Sequence, residues 1–329
     1  MKAFVLRSYG SPDALQLTDV AKPAPGPGEV LIRVRATSVQ PWDWHFMRGE
    51  PYIARLMPGG PGLRKPKITI LGADVAGQVE AVGAGVTEFE PGDEVFTMSR
   101  QGGGFAEYVC VPAREVAPKP ETLSFEEAAA VPLAAGTALL AIRDAGRVGP
   151  GRRVLVNGAS GGVGTFAVQL AKAYGAHVTG VCSGRNADLV RSLGADEVID
   201  YTKEDFTRNG ELYDALLYVA GNRSFSECRR VLTPKGVYVL VGAAAGRWFQ
   251  PAGRMFATLA ASAFVSQKAV QADVIGYKEN RRNLIELTGL IADGKVRPVI
   301  DRVYPFEQLQ AAVRYQEEGH APGKVIVTV

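Results

Sequence analysis

The chain has 329 residues, a net charge of +3, and 47% hydrophobic against 22% charged residues. A chain of this length and composition predicts about two globular domains. The small charge, with no long basic run, argues against nucleic-acid binding, and no apolar stretch is long enough to cross a bilayer. Three widely separated cysteines do not make a disulfide framework, so we expect a cytoplasmic protein.

The first third of the chain predicts short strands separated by glycine and proline turns. The expected strands cover residues 29–36, 74–82, 94–96 and 105–111. Alternating apolar and polar side chains are typical of half-buried strands. Many short strands with such turns predict a compact β barrel, which we expect over residues 1–124.

From Ser124 onwards the pattern predicts alternating strands and helices. Ser124 and Glu127 have the spacing of a capping box at a helix N-terminus. The expected elements are strand 153–156, helix 163–174, strand 177–182, helix 187–192, and strands 197–199, 215–219 and 237–241. This order predicts a doubly wound parallel sheet, a Rossmann domain, over residues 125–267. Residues 268–329, with an expected helix at 283–292 and strand at 324–329, depart from this alternating pattern.

A glycine-rich segment, Asn157 to Gly164, lies between a predicted strand and a predicted helix. Gly158, Gly161 and Gly164 are spaced by three residues, and such glycines let backbone turn tightly and approach a pyrophosphate. The helix N-terminus adds unpaired N–H groups and a positive dipole end. We predict a dinucleotide site here; a glycine-rich turn without a ligand is the alternative. The expected cofactor contacts in this segment are Ser160, Gly161, Gly162 and Val163.

The end of the second strand of this sheet distinguishes NAD from NADP. An acidic residue there binds the ribose 2′-hydroxyl of NAD, and residues 177–186 contain none. Ser183 can donate a hydrogen bond, and Arg185 supplies a planar cation that suits a phosphate. We therefore predict NADPH, with a solvated Arg185 as the alternative. Tyr201, after the third strand, is expected beside the adenine or its phosphate, unless it only fills a loop.

Short motifs follow one another along nearly the whole chain. They include Gly28-Glu29-Val30, Gly72-Ala73-Asp74-Val75-Ala76-Gly77, Pro91-Gly92-Asp93-Glu94-Val95, Gly136-Thr137-Ala138, Leu193-Gly194-Ala195-Asp196 and Gly323-Lys324. In this order they resemble the medium-chain dehydrogenase/reductase superfamily, and within it the zinc-independent quinone oxidoreductase branch. The resemblance implies a GroES-like barrel built from both chain ends, with residues 268–329 returning to the domain of residues 1–124. It also implies that the Rossmann domain is inserted between them, that the substrate is a small molecule and that the protein is a homodimer. It also implies cofactor contacts at Thr137, Gly242, Ala243 and Lys324.

The zinc-dependent branch of this superfamily holds its catalytic metal with a Cys, a His and a second Cys. By the same resemblance, the Cys position falls near Gln40 and the His position is Ala73 in this chain. A zinc site needs three or four nitrogen, sulfur or oxygen donors, and the three histidines of the chain are scattered. We therefore expect no bound metal.

Candidate catalytic residues lie in and after residues 38–49. The family often has an Asn and a Tyr where this chain has Gln40 and His45. Gln40 retains an amide that can bind the nicotinamide ribose. His45 can give a proton or a hydrogen bond to a substrate carbonyl because imidazole titrates near neutral pH; a packed structural histidine is the alternative. Tyr52 is the second candidate donor.

The remaining polar and aromatic residues of this segment have structural or substrate-binding interpretations. Asp43 and Arg48 are expected to pair and fix the segment. Trp42, Trp44 and Phe46 suit a flat aromatic substrate and equally suit a hydrophobic core.

Without a metal, the expected reaction is hydride transfer from NADPH to a quinone or an enone. Such conjugated acceptors spread the developing charge, so hydrogen bonds suffice to stabilise it. One alternative is an NADP-dependent alcohol dehydrogenase or carbonyl reductase. Another is a non-catalytic NADPH-binding redox sensor, which would show no turnover with any quinone or enone.

Overall fold

The computed structural model describes residues 1–56, 60–242, 265–272 and 279–329, together with residues 253, 258 and 262. The chain forms two compact units. The first comprises Met1–Leu133, Lys278–Ala292 and Pro298–Val329, and the second comprises Ala134–Tyr277 and Asp293–Arg297. The first division therefore follows Leu133 and not the expected residue 124, because the helix over Phe125–Ala129 contacts strands of the first unit.

The structure contains mixed α and β elements in both units. The strands are β1 (Lys2–Leu6), β2 (Leu15–Asp19), β3 (Glu29–Val39), β4 (Asp74–Val82), β5 (Glu94–Met98), β6 (Tyr108–Pro112), β7 (Ala117–Pro118), β8 (Arg153–Asn157), β9 (His177–Cys182), β10 (Glu197–Asp200), β11 (Tyr213–Tyr218), β12 (Leu232–Leu240), β13 (Lys268–Gln271), β14 (Ile300–Pro305) and β15 (Lys324–Thr328). The α-helices are α1 (Pro41–Arg48), α2 (Phe125–Ala129), α3 (Pro132–Leu139), α4 (Gly162–Ala173), α5 (Ala187–Ser192), α6 (Phe225–Cys228), α7 (Asn280–Ala292) and α8 (Leu309–Glu317). A π-helical turn, Leu140–Ala145, continues α3.

The first unit is built on a seven-stranded sheet in the order β14-β15-β3-β4-β5-β7, with β6 also paired to β3. Neighbouring strands are antiparallel except for the parallel pair β14 and β15. Alternate side chains of β3, Val30, Ile32 and Val34, are buried in its core. The structure confirms the predicted β domain. The expected strand at 105–111 begins later, because Phe105 hydrogen-bonds the backbone of Phe4 and Leu71.

The second unit contains six parallel strands in the order β10-β9-β8-β11-β12-β13. The chain adds β9 and β10 on one side of β8, then crosses to the other side for β11, β12 and β13. This reversal makes the carboxyl ends of β8 and β11 a topological switch point, where ligands bind in open α/β sheets. The predicted doubly wound sheet is confirmed, and β13 extends it past the expected end at residue 267.

No helix among the described residues is both long and apolar enough to cross a bilayer.

Candidate functional site

The glycine loop joins β8 to α4 at the switch point of the parallel sheet. Gly158 has φ +91°, and a Cβ there would lie 3.0 Å from the Cβ of Ala220. A Cβ on Gly164 would lie 2.0 Å from the carbonyl oxygen of Gly158. Both positions therefore require glycine, one for the turn and one for close packing of α4 against the loop.

The start of α4 presents backbone N–H groups at the end of this loop. Gly161 is the N-cap residue, and the helix begins at Gly162. The first-turn N–H groups of Gly162 and Val163 have no carbonyl partner within the helix. Ser160, Gly161, Gly162 and Val163 are all partly exposed. Because the loop combines a tight turn, available N–H groups and a twelve-residue helix, it fits a dinucleotide pyrophosphate.

The loop after β9 contacts the glycine loop. The amide of Asn186 donates to the Ser160 hydroxyl at 3.1 Å, and the N–H of Ala159 donates to the Val181 carbonyl at 3.0 Å. Ser183 and Arg185 lie in the same short loop as Asn186 and are partly or fully accessible. The structure thus brings the expected pyrophosphate and 2′-phosphate contacts onto adjoining loops.

An acidic residue reaches this region from the next strand. Asp200 ends β10 and lies opposite Cys182 in the parallel register. Hydrogen bonds from the Thr202 hydroxyl and backbone, and from the N–H of Gly184, lower the pKa of Asp200. A carboxylate therefore lies beside the loop that holds Ser183 and Arg185. Residues 177–186 alone do not reveal it, because the acid belongs to the neighbouring strand; Tyr201 follows it and is 56% exposed.

The cofactor contacts that the resemblance implies are dispersed. Thr137 is buried within α3, with 1% of its surface exposed. Gly242 follows β12, and its N–H donates to the Tyr218 carbonyl at 3.1 Å. Ala243 lies outside the described residues. These three positions remain expectations.

A buried ion pair joins two strands of the seven-stranded sheet, β15 and β4, beside the end of β3. The Lys324 ammonium lies 3.3 Å from Asp74 Oδ2 and donates to Gln40 Oε1 at 3.0 Å. The Ser38 hydroxyl donates to Asp74 Oδ2 at 2.5 Å, and the Leu133 N–H donates to Asp74 Oδ1 at 2.8 Å. The side chains of Lys324 and Asp74 are only 3% and 0% exposed. Both charges are therefore shielded from solvent and satisfied by each other and by polar neighbours.

The strand order explains why residues so distant in sequence meet. β3 pairs with β15 on one side and with β4 on the other, and both partners run antiparallel to it. Lys324 begins β15 and Asp74 begins β4. Their first residues therefore meet at the end of β3, next to Gln40.

Asp43, in the first turn of α1, is a second buried carboxylate. Its oxygens accept the N–H of Gln40 at 2.9 Å and that of Gly72 at 3.0 Å. Burial raises the pKa of Asp43 to about 7, against the opposing effect of these two N–H groups. The expected pair between Asp43 and Arg48 is wrong, because backbone groups already occupy the carboxylate. Arg48 instead donates to Glu317 at 2.5 Å.

A hydrogen bond at Nδ1 fixes the tautomer of His45. Nδ1 lies 3.0 Å from the backbone carbonyl of Glu50. Since a carbonyl only accepts, the ring proton belongs on Nδ1. Burial lowers the pKa of His45 below its usual value, so at neutral pH Nε2 bears a lone pair and no proton. His45 therefore offers a ligand an acceptor at pH 7, whereas the role expected from sequence needs a donor.

Aromatic side chains on and after α1 pack against one another. The Arg55 guanidinium lies 4.6 Å from the Tyr52 ring centroid and 4.1 Å from that of Tyr9. Trp42 and Phe46 stack with ring centroids 4.3 Å apart, and both pack against the core of the first unit. Packing thus accounts for the position of these rings, and the donor role of Tyr52 remains an expectation.

No group of three or more His, Cys, Asp and Glu side chains is arranged to hold a metal ion within the described ranges. Ala73 is fully buried and Gln40 is bonded to Lys324. At the positions that correspond to zinc ligands in the zinc-dependent branch, this chain thus supplies no nitrogen or sulfur ligand with the ordinary chemistry of a zinc site.

Comparison with known proteins agrees with this arrangement. Residues 26–121 match the family described as Alcohol dehydrogenase GroES-like domain, and residues 193–327 match the one described as Zinc-binding dehydrogenase. The mouse (Mus musculus) protein named NAD(P)H oxidoreductase RTN4IP1, mitochondrial, is 36% identical over 353 residues, which cover 100% of this chain and 89% of the mouse protein.

Two solved structures have the same fold over their whole length. The quinone oxidoreductase from Coxiella burnetii is 30% identical, with a TM-score of 0.86, and the match covers 100% of this chain and 99% of that one. The CurK enoyl reductase is 26% identical, with a TM-score of 0.86, and the match covers 99% and 98%. The chain therefore belongs to the medium-chain dehydrogenase/reductase superfamily, in its quinone oxidoreductase-like branch.

Proposed function

We propose that this chain is an oxidoreductase that uses NADPH to reduce a quinone or an α,β-unsaturated carbonyl compound without a metal ion. The glycine loop between β8 and α4 carries the proposal, because its tight turn and the helix N-terminus that follows suit a dinucleotide pyrophosphate. The name of the mouse relative supports a nicotinamide cofactor, and the two solved structures support quinone and enoyl acceptors.

The proposed reaction needs an acceptor carbon, a hydride and a proton. NADPH bound at the glycine loop would supply the hydride and become NADP. The acceptor carbon gains the hydride, the substrate oxygen carries the resulting negative charge, and a proton then neutralises the product. Because conjugation spreads that charge, hydrogen-bond donors can do here what zinc does in metal-dependent relatives.

We expect the protein to prefer NADPH over NADH by at least about tenfold in kcat/KM, since a charged hydrogen bond to phosphate contributes about 1.5–3 kcal/mol. Ser183 and Arg185 would supply the phosphate contacts. Arg185→Ala should lower kcat/KM for NADPH and leave kcat/KM for NADH nearly unchanged. Initial rates with both cofactors, each varied at a fixed saturating acceptor concentration, measure the preference.

Asp200→Asn provides the matched comparison, because it removes a negative charge from the same region. Its NADPH preference should rise, opposite in direction to the effect of Arg185→Ala. Equal kcat/KM for the two cofactors in the parent protein would refute the assignment of NADPH.

If His45 delivers the proton, kcat should rise as the pH falls. The sign follows from the neutral ring at pH 7: only the imidazolium has a proton on Nε2, and burial places its pKa below the usual 6.5. Above that pKa the protonated fraction, and with it kcat, falls about tenfold per pH unit. His45→Asn retains an N–H for the Glu50 carbonyl but does not titrate, so it should remove this dependence.

Measuring kcat from pH 5 to 8 in the parent and in His45→Asn also separates His45 from Asp43, because the variant keeps the Asp43 carboxyl group, whose pKa burial raises to about 7 in the parent. Identical profiles for the two proteins would eliminate His45 as the proton donor. In that case Tyr52→Phe tests the second candidate.

We also infer a homodimer and a cytoplasmic location. The mouse relative is named as mitochondrial, so the location needs its own measurement by fractionation of the native cells. Light scattering of the purified protein measures the oligomer.

A further inference from the structure

We propose that Gln40 is the hydrogen-bond donor for the substrate carbonyl oxygen, and that Lys324 is a positioning residue that orients the Gln40 amide for this task. The inference rests on the proposed function and assigns a donor that the reaction lacks in His45 at neutral pH. It differs from the roles that the resemblance implies, in which both residues contact the cofactor.

The orientation of the Gln40 amide follows from the chemistry of its neighbour. Lys324 Nζ lies 3.0 Å from one end of this amide. An ammonium group only donates, so the amide atom that faces it must be the oxygen. The Nε2 group is then directed away from Lys324, and a rotation of the amide by 180° would place two donors against each other.

The Nε2 group of Gln40 is a buried donor that no described residue accepts from. Gln40 as a whole is 3% exposed. Buried polar groups are nearly always hydrogen-bonded, and an exception calls for an explanation such as a ligand or a functional role. Because Nε2 can donate hydrogen bonds but not accept them, it favours a ligand atom that accepts a hydrogen bond, such as a carbonyl oxygen.

The charges around Gln40 suit an oxygen that becomes negative. Lys324 polarises the amide through its oxygen, which makes the N–H groups of Nε2 stronger donors. Asp74 holds Lys324 at 3.3 Å, and Asp74 is itself fixed by Ser38 and Leu133. The donor is therefore placed before the substrate arrives, which is the property that makes such donors effective in stabilising an oxyanion.

The contacts of Lys324 favour an indirect role. Its side chain is 3% exposed, and its ammonium already serves Gln40 and Asp74. An ion pair this deeply buried needs both partners for stability. Lys324 can therefore influence the substrate through Gln40 without touching it.

Gln40→Glu is the first test variant. The new carboxylate keeps an acceptor for Lys324 but replaces the donor Nε2 with a second acceptor of similar size. With saturating NADPH, kcat on a quinone or enone should fall about 10²- to 10³-fold, the effect of losing one oxyanion donor. The Kd for NADPH, measured by fluorescence titration without an acceptor substrate, should stay within about threefold of the parent value because the donor serves the substrate.

Lys324→Gln and the double variant test the positioning role. Lys324→Gln should lower kcat, and in the Gln40→Glu background it should add no further loss, because residues that act through one another are not additive. Lys324→Arg keeps a donor-only cation and should restore most of the activity. Lys119→Gln is the control: the Lys119 side chain is 5% exposed, and its partner Glu94, at 3.1 Å, is 46% exposed. This variant removes a buried lysine from an ion pair away from Gln40, and kcat should not change.

Four results would count against the inference. If the losses in the two single variants multiply in the double variant, Lys324 contacts a ligand itself. If Gln40→Glu raises the Kd for NADPH and leaves kcat unchanged, the donor serves the nucleotide and not the substrate. If the parent protein binds NADPH but reduces no quinone or enone, the proposed function fails and the inference fails with it. If the parent is active and Gln40→Glu has the same kcat, the inference is refuted and the proposed function stands.

Discussion

Asp74→Asn should lower the free energy of unfolding by about 3–5 kcal/mol, the cost of leaving one charge of a buried pair without its partner. Asp74 and Lys324 are almost completely shielded from solvent. An amide at position 74 can still accept the Leu133 N–H with its oxygen, but its NH₂ then faces the Lys324 ammonium. Urea unfolding of the parent and variant, with equal m values, measures the difference.

Two further variants show whether the uncompensated charge causes the loss. Replacing both partners, as Asp74→Leu with Lys324→Met, should recover much of the stability because no buried charge remains. Asp19→Asn breaks the exposed pair with Lys2, whose side chains are 75% and 52% exposed, and should have little effect. If Asp74→Asn and Asp19→Asn are equally mild, the buried pair does not contribute as we infer.

Gly164→Ala should abolish tight NADPH binding and destabilise the second unit by about 1–3 kcal/mol or more, the range for overpacking a close contact. The new Cβ would lie 2.0 Å from the Gly158 carbonyl oxygen and 2.8 Å from the backbone of Ala159. The helix N-terminus must then move away from the loop. Thermal unfolding and NADPH titration measure the two effects separately.

Gly149→Ala is the matched control within the same unit. A Cβ at Gly149 meets no atom within 4 Å, and its φ lies outside the left-handed region. This variant should keep the melting temperature and the Kd for NADPH of the parent. Normal NADPH affinity in a folded Gly164→Ala protein would show that the loop does not bind the dinucleotide as proposed.

Local sequence patterns are sufficient to predict much of the fold. The strands at Asp74–Val82 and His177–Cys182 and the helix at Ala187–Ser192 have the expected bounds. The capping box at Ser124 is also confirmed, since its hydroxyl accepts the Glu127 N–H and its own N–H donates to the Glu127 carboxylate. In these elements the side-chain period and the cap residues agree with the tertiary structure.

Other elements depend on partners that local patterns do not reveal. Local patterns do not predict α1, although Pro41 occupies its first turn, a position that favours proline. β13 has only four residues, two of them polar, and its place in the sheet comes from pairing with β12. Its strand character thus depends more on the neighbouring strand than on its own sequence.

In the candidate site, too, local patterns reveal some features and not others. The glycine loop is local, and the spacing of its three glycines between a predicted strand and a predicted helix is enough to recognise it. The contacts between Lys324, Asp74 and Gln40 arise from the order of three strands, and the proximity of Asp200 to Gly184 arises from the β9–β10 register. The Nδ1 proton of His45 depends on a single carbonyl, that of Glu50. Motifs therefore identify most of these residues, but geometry is needed to infer what each one does.

The most direct test of the proposed function is steady-state turnover of the purified, chelator-treated protein with NADPH and a panel of quinones and enones. Elemental analysis of the same sample establishes that it contains no stoichiometric zinc. We predict robust NADPH oxidation with at least one conjugated acceptor and little reduction of NADP by simple aliphatic alcohols. Turnover of such alcohols with none on any quinone or enone, or activity that requires added zinc, would contradict the account.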